Sequence, residues 1–410
     1  MGIKINKSDN NNTRKAKKRF KNKIKRKNKQ YDPKRRIASI NSNTRGIVYE
    51  KHVEEFITRN KRNLNKKNWK QINLNTDFCL FNNPSNVLYL LANLLNYAKQ
   101  SSTTGNLIYK NCISFGAIYL LDSLSYKIGE NKKWSLIYKN LPEEEKFLIT
   151  NLRSIETAIK DDGRTYIVNS RIQINRSDTI LAKQDHESKS KEIRDLVQKG
   201  IQEVYNKELT HEEHNAIHSA ISEHFDNILL HVPTALFGHL CGVYDKNKNE
   251  VKILIYNFGI SIAENLNKDG LPIDMKEQID KVIKNHTEKK FFVLESKFTK
   301  ENALTLLAIQ EGISSKISED RSRGHGLIDF AEKCLGLNDK SKIRIISGRT
   351  AIKIDSKYKI EKKHFLDRER RLIALNDKND MFEKPDPEYV TNMGTFFPGT
   401  IIETLIPLYK

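Results

Sequence analysis

The 410 residues (47.6 kDa) carry 72 Lys and Arg against 51 Asp and Glu, a formal net charge of +21, with 38% hydrophobic and 30% charged side chains. At roughly 100–200 residues per domain, this length suggests two or three domains. The charge is concentrated: residues 1–37 hold 16 basic groups and two acids (Asp9, Asp32), and residues 38–70 hold eight and three, which leaves +2 for 71–410. A uniformly basic, histone-like body is excluded. The cysteines Cys79, Cys112, Cys241 and Cys334 lie 33 or more residues apart, so neither a metal knuckle nor a short-loop disulfide framework can be drawn. The basic start has no apolar segment behind it, which argues against a secretory leader, and the run VLYLLANLL at 87–95 is half the length that spans a bilayer. A reducing, cytoplasmic setting is expected.

In chain order, residues 1–37 form a Lys/Asn-rich arm with too few apolar groups to offset the entropy of ordering, so the arm reads as disordered when free. Residues 38–70 form a basic linker with the apolar spacing of one short helix. From 71 the pattern alternates: INLNTDFCLF (strand), SNVLYLLANLLNYAKQ (helix), GNLIY (strand), SFGAIYLLDSLSYKIG (helix), KWSLIYKNLP (strand) and EEEKFLITNLRSIETAIK (helix). That order predicts a small α/β domain, 71–185 once the connector containing the strand-like YIVNSRIQI is included. A second domain, 186–410, opens with the helix HESKSKEIRDLVQKGIQEVYN and continues into HEEHNAIHSAISEHFDNILLHV. Strands follow at 235–244 and 251–256, then a poorly periodic stretch from 261 to about 320. SRGHGLIDFAEKCLG predicts a helix, SKIRIISG and RTAIKID predict strands, residues 355–398 read as an irregular insertion without an assigned role, and GTIIETLIPL predicts a final strand.

The chemistry-bearing pattern begins at Glu223, Asn227 and His231, spaced i, i+4, i+8 and so on one helix stripe. An amide oxygen there suits Mg²⁺, and a carboxylate one turn earlier suits orienting a nucleophile toward a γ-phosphate. Taken alone, the same spacing also describes an exposed polar stripe. Downstream, a β-run stops at Asn257-Phe258-Gly259-Ile260-Ser261, and Arg323-Gly324-His325-Gly326-Leu327 opens a helix, where glycines let backbone approach phosphate. Pro398-Gly399-Thr400 leads the last strand.

In this order EHFDN, NFGIS, RGHGL and GTIIETLIPL resemble the N box, the two glycine boxes and the Gly-Thr strand of the GHKL ATPase superfamily (gyrase, MutL, histidine kinases, anti-sigma kinases). The resemblance covers about residues 190–410. It implies an α/β sandwich within an overall α/β (α+β) fold, with ATP and Mg²⁺ as cofactors. Glu223 would be the general base and Asn227 the Mg²⁺ ligand. Asn227, His231, Asn257, Gly259, Arg323, Gly324, Gly326 and Thr400 would line the nucleotide, with Gly324 and Gly326 at the phosphates and Thr400 near adenine. Two positions depart from the pattern: Asn257 stands where the family has the Asp that accepts the adenine N6 hydrogen, and Ser261 replaces a glycine. The 71–160 block resembles a STAS-like domain, the fold of anti-anti-sigma factors, with Ser114 near the phosphoacceptor turn; as a residue, Ser114 reads first as a helix N-cap.

His211, His214 and His218 share a helix-like spacing, but no cysteine or carboxylate pair completes a metal site, and they read as surface histidines. His211 lies only 12 residues before Glu223, which leaves no room for a histidine-kinase dimerisation domain, so histidine autophosphorylation is rejected. The expected function is an ATP- and Mg²⁺-dependent switch with slow hydrolysis or Ser/Thr-type phosphotransfer, by analogy in stress regulation or phage defence. The alternative from another class is a non-catalytic nucleic-acid-binding or partner-switching scaffold with a degenerate nucleotide site. Nucleic acid would meet the arm at Lys15, Lys17, Lys18, Arg19, Lys25, Arg26 and Lys27 through counterion release, unless the arm serves solubility alone. A protein partner would use the STAS-like domain, no membrane span is expected, and a homodimer is allowed.

Overall fold

β-branched and aromatic residues recur through 237–244, 251–258 and 342–354, and the chain there forms long strands, whereas the Leu/Ala-rich run at 87–98 forms a helix. The computed structural model describes residues 53–64, 71–74, 78–100, 105–109, 114–121, 134–138, 158–161, 165–173, 179–211, 214–215, 217–218, 221–222, 237–267, 273–287, 298–314 and 325–408. The fold mixes helices with largely antiparallel sheets and is α+β.

Helix α1 (residues 53–60) runs into a 3-10 turn, Lys61–Asn63. Strands β1 (Gln71–Leu74), β2 (Gly105–Tyr109) and β3 (Trp134–Tyr138) form a parallel three-stranded sheet, with α2 (Pro84–Gln100) and α3 (115–121) between them in sequence. The main sheet has six strands in the order β4-β5-β6-β7-β11-β8, all neighbours antiparallel. They are β4 (Ala158–Asp161), β5 (Thr165–Gln173), β6 (Phe237–Asp245), β7 (Glu250–Phe258), β8 (Lys342–Ile354) and β11 (Val390–Pro407). Helices α4 (Thr179–Tyr205), α5 (Ile262–Leu266), α6 (Ile273–Thr287), α7 (Lys300–Ala308) and α8 (Gly326–Leu337) complete the body. A hairpin of β9 (Glu361–Phe365) and β10 (Arg368–Leu372) stands apart from the main sheet.

Strand residues alternate between the two faces. One face, with Leu240, Ile253, Ile255, Ile402, Ile343 and Ile345, packs with Ile193, Leu196, Val197 and Ile201 of α4 and with α6 to α8 in a continuous core. Gly242 on β6 makes this approach feasible, since a Cβ there would fall 2.5 Å from Leu196 Cδ2. The opposite face is covered by the N-terminal residues. Tyr119 of α3 stands edge-on to His239 and Tyr256, which stack at 4.3 Å, and Phe56 of α1 meets Phe397 edge-on at 5.9 Å. The sheet therefore lies between two helical layers. All described residues belong to one compact unit, His52–Lys410.

Several expectations change. Residues 158–160, read as the end of a helix, are strand β4, and the connector strand β5 pairs with β6 as part of the main sheet. The helix placed at 186 begins at Thr179. Among the described residues the stretch from 261 to 320 contains three helices, SKIRIISG and RTAIKID are one continuous strand, and the 355–398 insertion supplies the β9–β10 hairpin and the first part of β11. No described helix is long and apolar enough to cross a membrane.

Candidate functional site

The main sheet aligns four positions in one row: Gly238 on β6, Asn257 on β7, Thr400 on β11 and Ser347 on β8. They occupy the face that packs on α4 to α8, at the end of the row of isoleucines. Asn257 is 6% exposed, and its Oδ1 accepts from the Thr400 N–H at 3.2 Å. Ser347 Oγ donates to the Gly399 carbonyl at 2.8 Å, accepts from the Ile262 N–H at 2.8 Å and lies 3.1 Å from Thr400 Oγ1. A hydroxyl has one proton and two lone pairs, so these three bonds saturate it. Gly399 has φ +126, and a Cβ there would sit 2.0 Å from the Asn257 carbonyl oxygen. Only glycine permits this crossing of β11 over the end of β7. The Gly259 N–H donates to Pro398 O at 3.3 Å, closing the same junction.

Ser261 has a structural role of its own at the start of α5. Its φ of −69 needs no glycine, and it caps α5: its hydroxyl accepts from Glu264 N at 3.2 Å while Glu264 Oε2 accepts from Ser261 N at 2.9 Å. Burial raises the Glu264 carboxyl, but this bond and Arg59 outweigh it and hold the group below its usual range. Beside the cap, Gly348 (φ +59) leaves room for Glu301, whose Oε1 would lie 1.8 Å from a Cβ at that glycine and accepts from Arg349 N at 2.6 Å. Burial keeps Glu301 above the ordinary carboxylate range despite that bond. Arg59 of α1 pairs with Glu264 at 2.7 Å and lies 3.4 Å above the Phe396 ring, so the first described helix is tied to the edge of this cluster.

Gly326 is the first residue of α8, with His325 at the N-cap. Here the nearest ionic groups are partly acidic. His325 Nδ1 is 3.4 Å from Glu311 Oε1, and Arg371 of β10 joins Glu311 (3.0 Å), Asp329 (2.5 Å) and Glu332 (2.8 Å). Burial raises Glu311, and the Arg371 bonds more than compensate, leaving it below its usual range. Among the described residues no hydrogen bond or ion pair joins this cluster to the Asn257 row.

Of the residues singled out from sequence, Asn257 and Thr400 are brought into direct contact, with Gly259 at the adjoining turn and Gly326 at the α8 terminus. Glu223, Asn227, His231, Arg323 and Gly324 lie outside the described residues, as do Lys15, Lys17, Lys18, Arg19, Lys25, Arg26 and Lys27 of the arm. Ser114 is an N-cap: its hydroxyl accepts from Ala117 N at 3.3 Å and from Leu80 N at 3.1 Å. His214 Nε2 lies 2.9 Å from Gln198 Oε1, and no metal-binding group of His, Cys, Asp and Glu occurs among the described residues. Ser347 and Glu301 were not singled out from sequence. The signal at Ser347 was the Ser-Gly break inside a long β-run, which here lies within strand β8, opposite the irregular part of β11, rather than at a strand end. No protein-family model, curated protein or solved structure matches the chain.

Proposed function

We propose that the chain is a GHKL-type switch that binds ATP with Mg²⁺ and turns it over slowly by hydrolysis or by phosphotransfer to a Ser/Thr acceptor. The observation that carries this reading is the Asn257–Thr400–Ser347 row. Residues of NFGIS and GTIIETLIPL, 143 positions apart in sequence, meet on one sheet face through the Asn257–Thr400 bond. The α8 helix that follows RGHGL packs into the same core. Glu223 is the general base in this reading, Asn227 the Mg²⁺ ligand and Gly324–Gly326 the phosphate turn. The STAS-like part of the chain, around the parallel β1–β3 sheet, serves as the partner surface, and the basic arm meets nucleic acid through charge rather than base reading.

A second reading, a non-catalytic scaffold with a degenerate site, is favoured by a specific observation. The Asn257 oxygen and the Ser261 hydroxyl both serve internal bonds, to Thr400 N and Glu264 N. Titration calorimetry of the full-length chain with ATP, with and without Mg²⁺, separates the two. On the enzymatic reading Glu223→Ala keeps ATP affinity and loses turnover, while Asn227→Ala weakens only Mg²⁺-dependent binding. Equal steady-state turnover in wild type and Glu223→Ala, or no heat on adding ATP, favours the scaffold.

A further inference from the structure

Glu403 is 2% exposed on β11, on the sheet face that the N-terminal residues cover. An ionised carboxylate offers about four lone-pair sites, and only one is filled here: Oε1 accepts from Gly116 N at 2.8 Å, while Oε2 has no hydrogen-bond partner among the described residues. The cover presses closely on this group. A Cβ at Gly116 would fall 2.7 Å from the Glu403 carboxyl carbon and 2.9 Å from Leu80 Cδ1, so α3 and the turn ahead of α2 close over it together. Ser114 joins those two pieces, donating its N–H to Phe78 O at 2.9 Å and accepting from Leu80 N at 3.1 Å. Among the described residues, the charged or titratable groups around the carboxyl are Arg344 of β8, Lys252 of β7, Cys241 of β6 and, beside Arg344, Cys79 of the cover. None of them neutralises it by contact. Arg344, across in register, donates to Phe81 O of the cover, and no ion pair joins it to Glu403. Lys252 pairs with Asp245 at 3.6 Å and Glu250 at 3.3 Å, and burial keeps the Cys241 thiol neutral.

We propose that Glu403 makes this cover pH-sensitive: residues 78–83 and α3 lift off the sheet as a local unit when the carboxyl loses its proton, and reseat when it regains it. In the closed state burial holds the carboxyl up to about 7, whereas lifting the cover lets water reach Oε2 and returns the group toward its ordinary value of 4.5. Between those two values closing takes up a proton, so opening becomes easier as pH rises through that window and has no such dependence below it. The open form bares an apolar strip of the sheet, Cys241, Leu254 and Tyr256, and takes Tyr119 off the Tyr256 ring. Local openings of this kind cost less than global unfolding because the sheet and the core on its other face stay intact.

The test is hydrogen exchange of the full-length chain, with rates corrected for the intrinsic effect of pH. It reads the amides of Leu80, Ser114, Gly116 and Ile118, all hydrogen-bonded in the closed state. Their protection should be lower than that of the β7 and β11 amides and insensitive to low denaturant, as a local opening requires. It should also fall about twentyfold between about pH 5.5 and about pH 8. Glu403→Gln keeps an acceptor for Gly116 N without the charge, and its protection should change by less than about threefold over the same range. Cover amides that exchange only together with those of β7 and β11, with the same dependence on denaturant, overturn the inference, and this measurement needs no variant to fold. A folded Glu403→Gln chain that retains the wild-type pH dependence overturns it as well.

Discussion

On one face of the main sheet, Asn257, Thr400 and Ser347 stand in register, with the amide oxygen bonded to Thr400 N and the serine hydroxyl fully engaged. Three residues along the same strands, on the opposite face, Leu254, Glu403 and Arg344 stand in register, and there the polar groups are not fully engaged. Glu403 Oε1 accepts from Gly116 N at 2.8 Å, but Oε2 has no hydrogen-bond partner among the described residues, nor has Arg344 Nε; Arg344 Nη2 donates to Phe81 O. Burial pushes the Glu403 carboxyl up to about 7, against the pull of Gly116 N, Lys252 and Arg344. It also draws Arg344 down to about 10, which still leaves the guanidinium charged at neutral pH. A shift of three positions reverses the face. One face thus holds a preorganised polar row, whereas the other buries an acid under the N-terminal layer at a cost to stability.

Both faces depend on where β11 lies, so the largest effect is expected from Gly399→Ala. The added Cβ meets backbone that cannot rotate away, at a φ that L-residues avoid, and should destabilise by about 3 kcal/mol or more. Denaturant titration reads this directly, and a loss below about 1 kcal/mol would contradict the close approach of β11 and β7.

Glu403→Gln separates the faces. Below about pH 4.5 the carboxyl is protonated whether or not the chain is folded, and its burial then has no ionic cost. As pH rises, the unfolded chain releases the proton first, and the folded chain retains it until about 7. Stability present at pH 4.5 is therefore lost by pH 7, on the order of 3 kcal/mol. The glutamine variant should flatten that slope and be the more stable chain at pH 8, with nucleotide affinity unchanged. Parallel slopes for wild type and variant would mean that Glu403 does not titrate in this window.

Ser261→Ala should do least. It removes the hydroxyl half of the α5 capping box, worth about 1 kcal/mol, and touches the polar row only through the position of Ile262 N. Loss of nucleotide affinity far beyond that in Ser261→Ala would bring this hydroxyl into the site itself.

Elements with a strong period or punctuation were legible: β2, the β6–β7 hairpin around DKNKNE, and α8 behind its glycines. The misses have separate physical causes. Helix α7 is buried at six consecutive residues, Asn302–Leu307, so it has no polar face to reveal a 3.6-residue period. Its cap pairs Thr299 with Asn302 rather than with Glu or Gln, which hides the usual signature. The β9–β10 hairpin turns at Leu366 and Asp367, with Leu366 at φ +63, where Asn or Gly would have announced the turn. Strand β11 looked as if it began at Gly399 because Pro-Gly normally interrupts a strand; here that pair sits in a register shift between Phe397 and Thr400. The Asn257–Thr400 contact joins two of the motifs that the sequence orders along the chain. Ser347 was not legible, because its role comes from a pairing across strands.

Phe396 lies within another register break of β11, between Asn392 and Phe397, where no strand residue is paired with it. Asn60 of α1 gives its amide N–H to Phe396 O at 2.8 Å and accepts from Phe396 N at 2.7 Å. One side chain thereby makes the two bonds that an adjoining strand would make. Unpaired strand backbone is a template for self-association between copies, and proteins commonly blunt it with charge, proline or covering helices. Here a single carboxamide does the blunting, anchored by its second bond to Phe56 O at 2.7 Å. Damage at residue 60 would therefore show itself as clumping at high protein concentration before it appeared as unfolding.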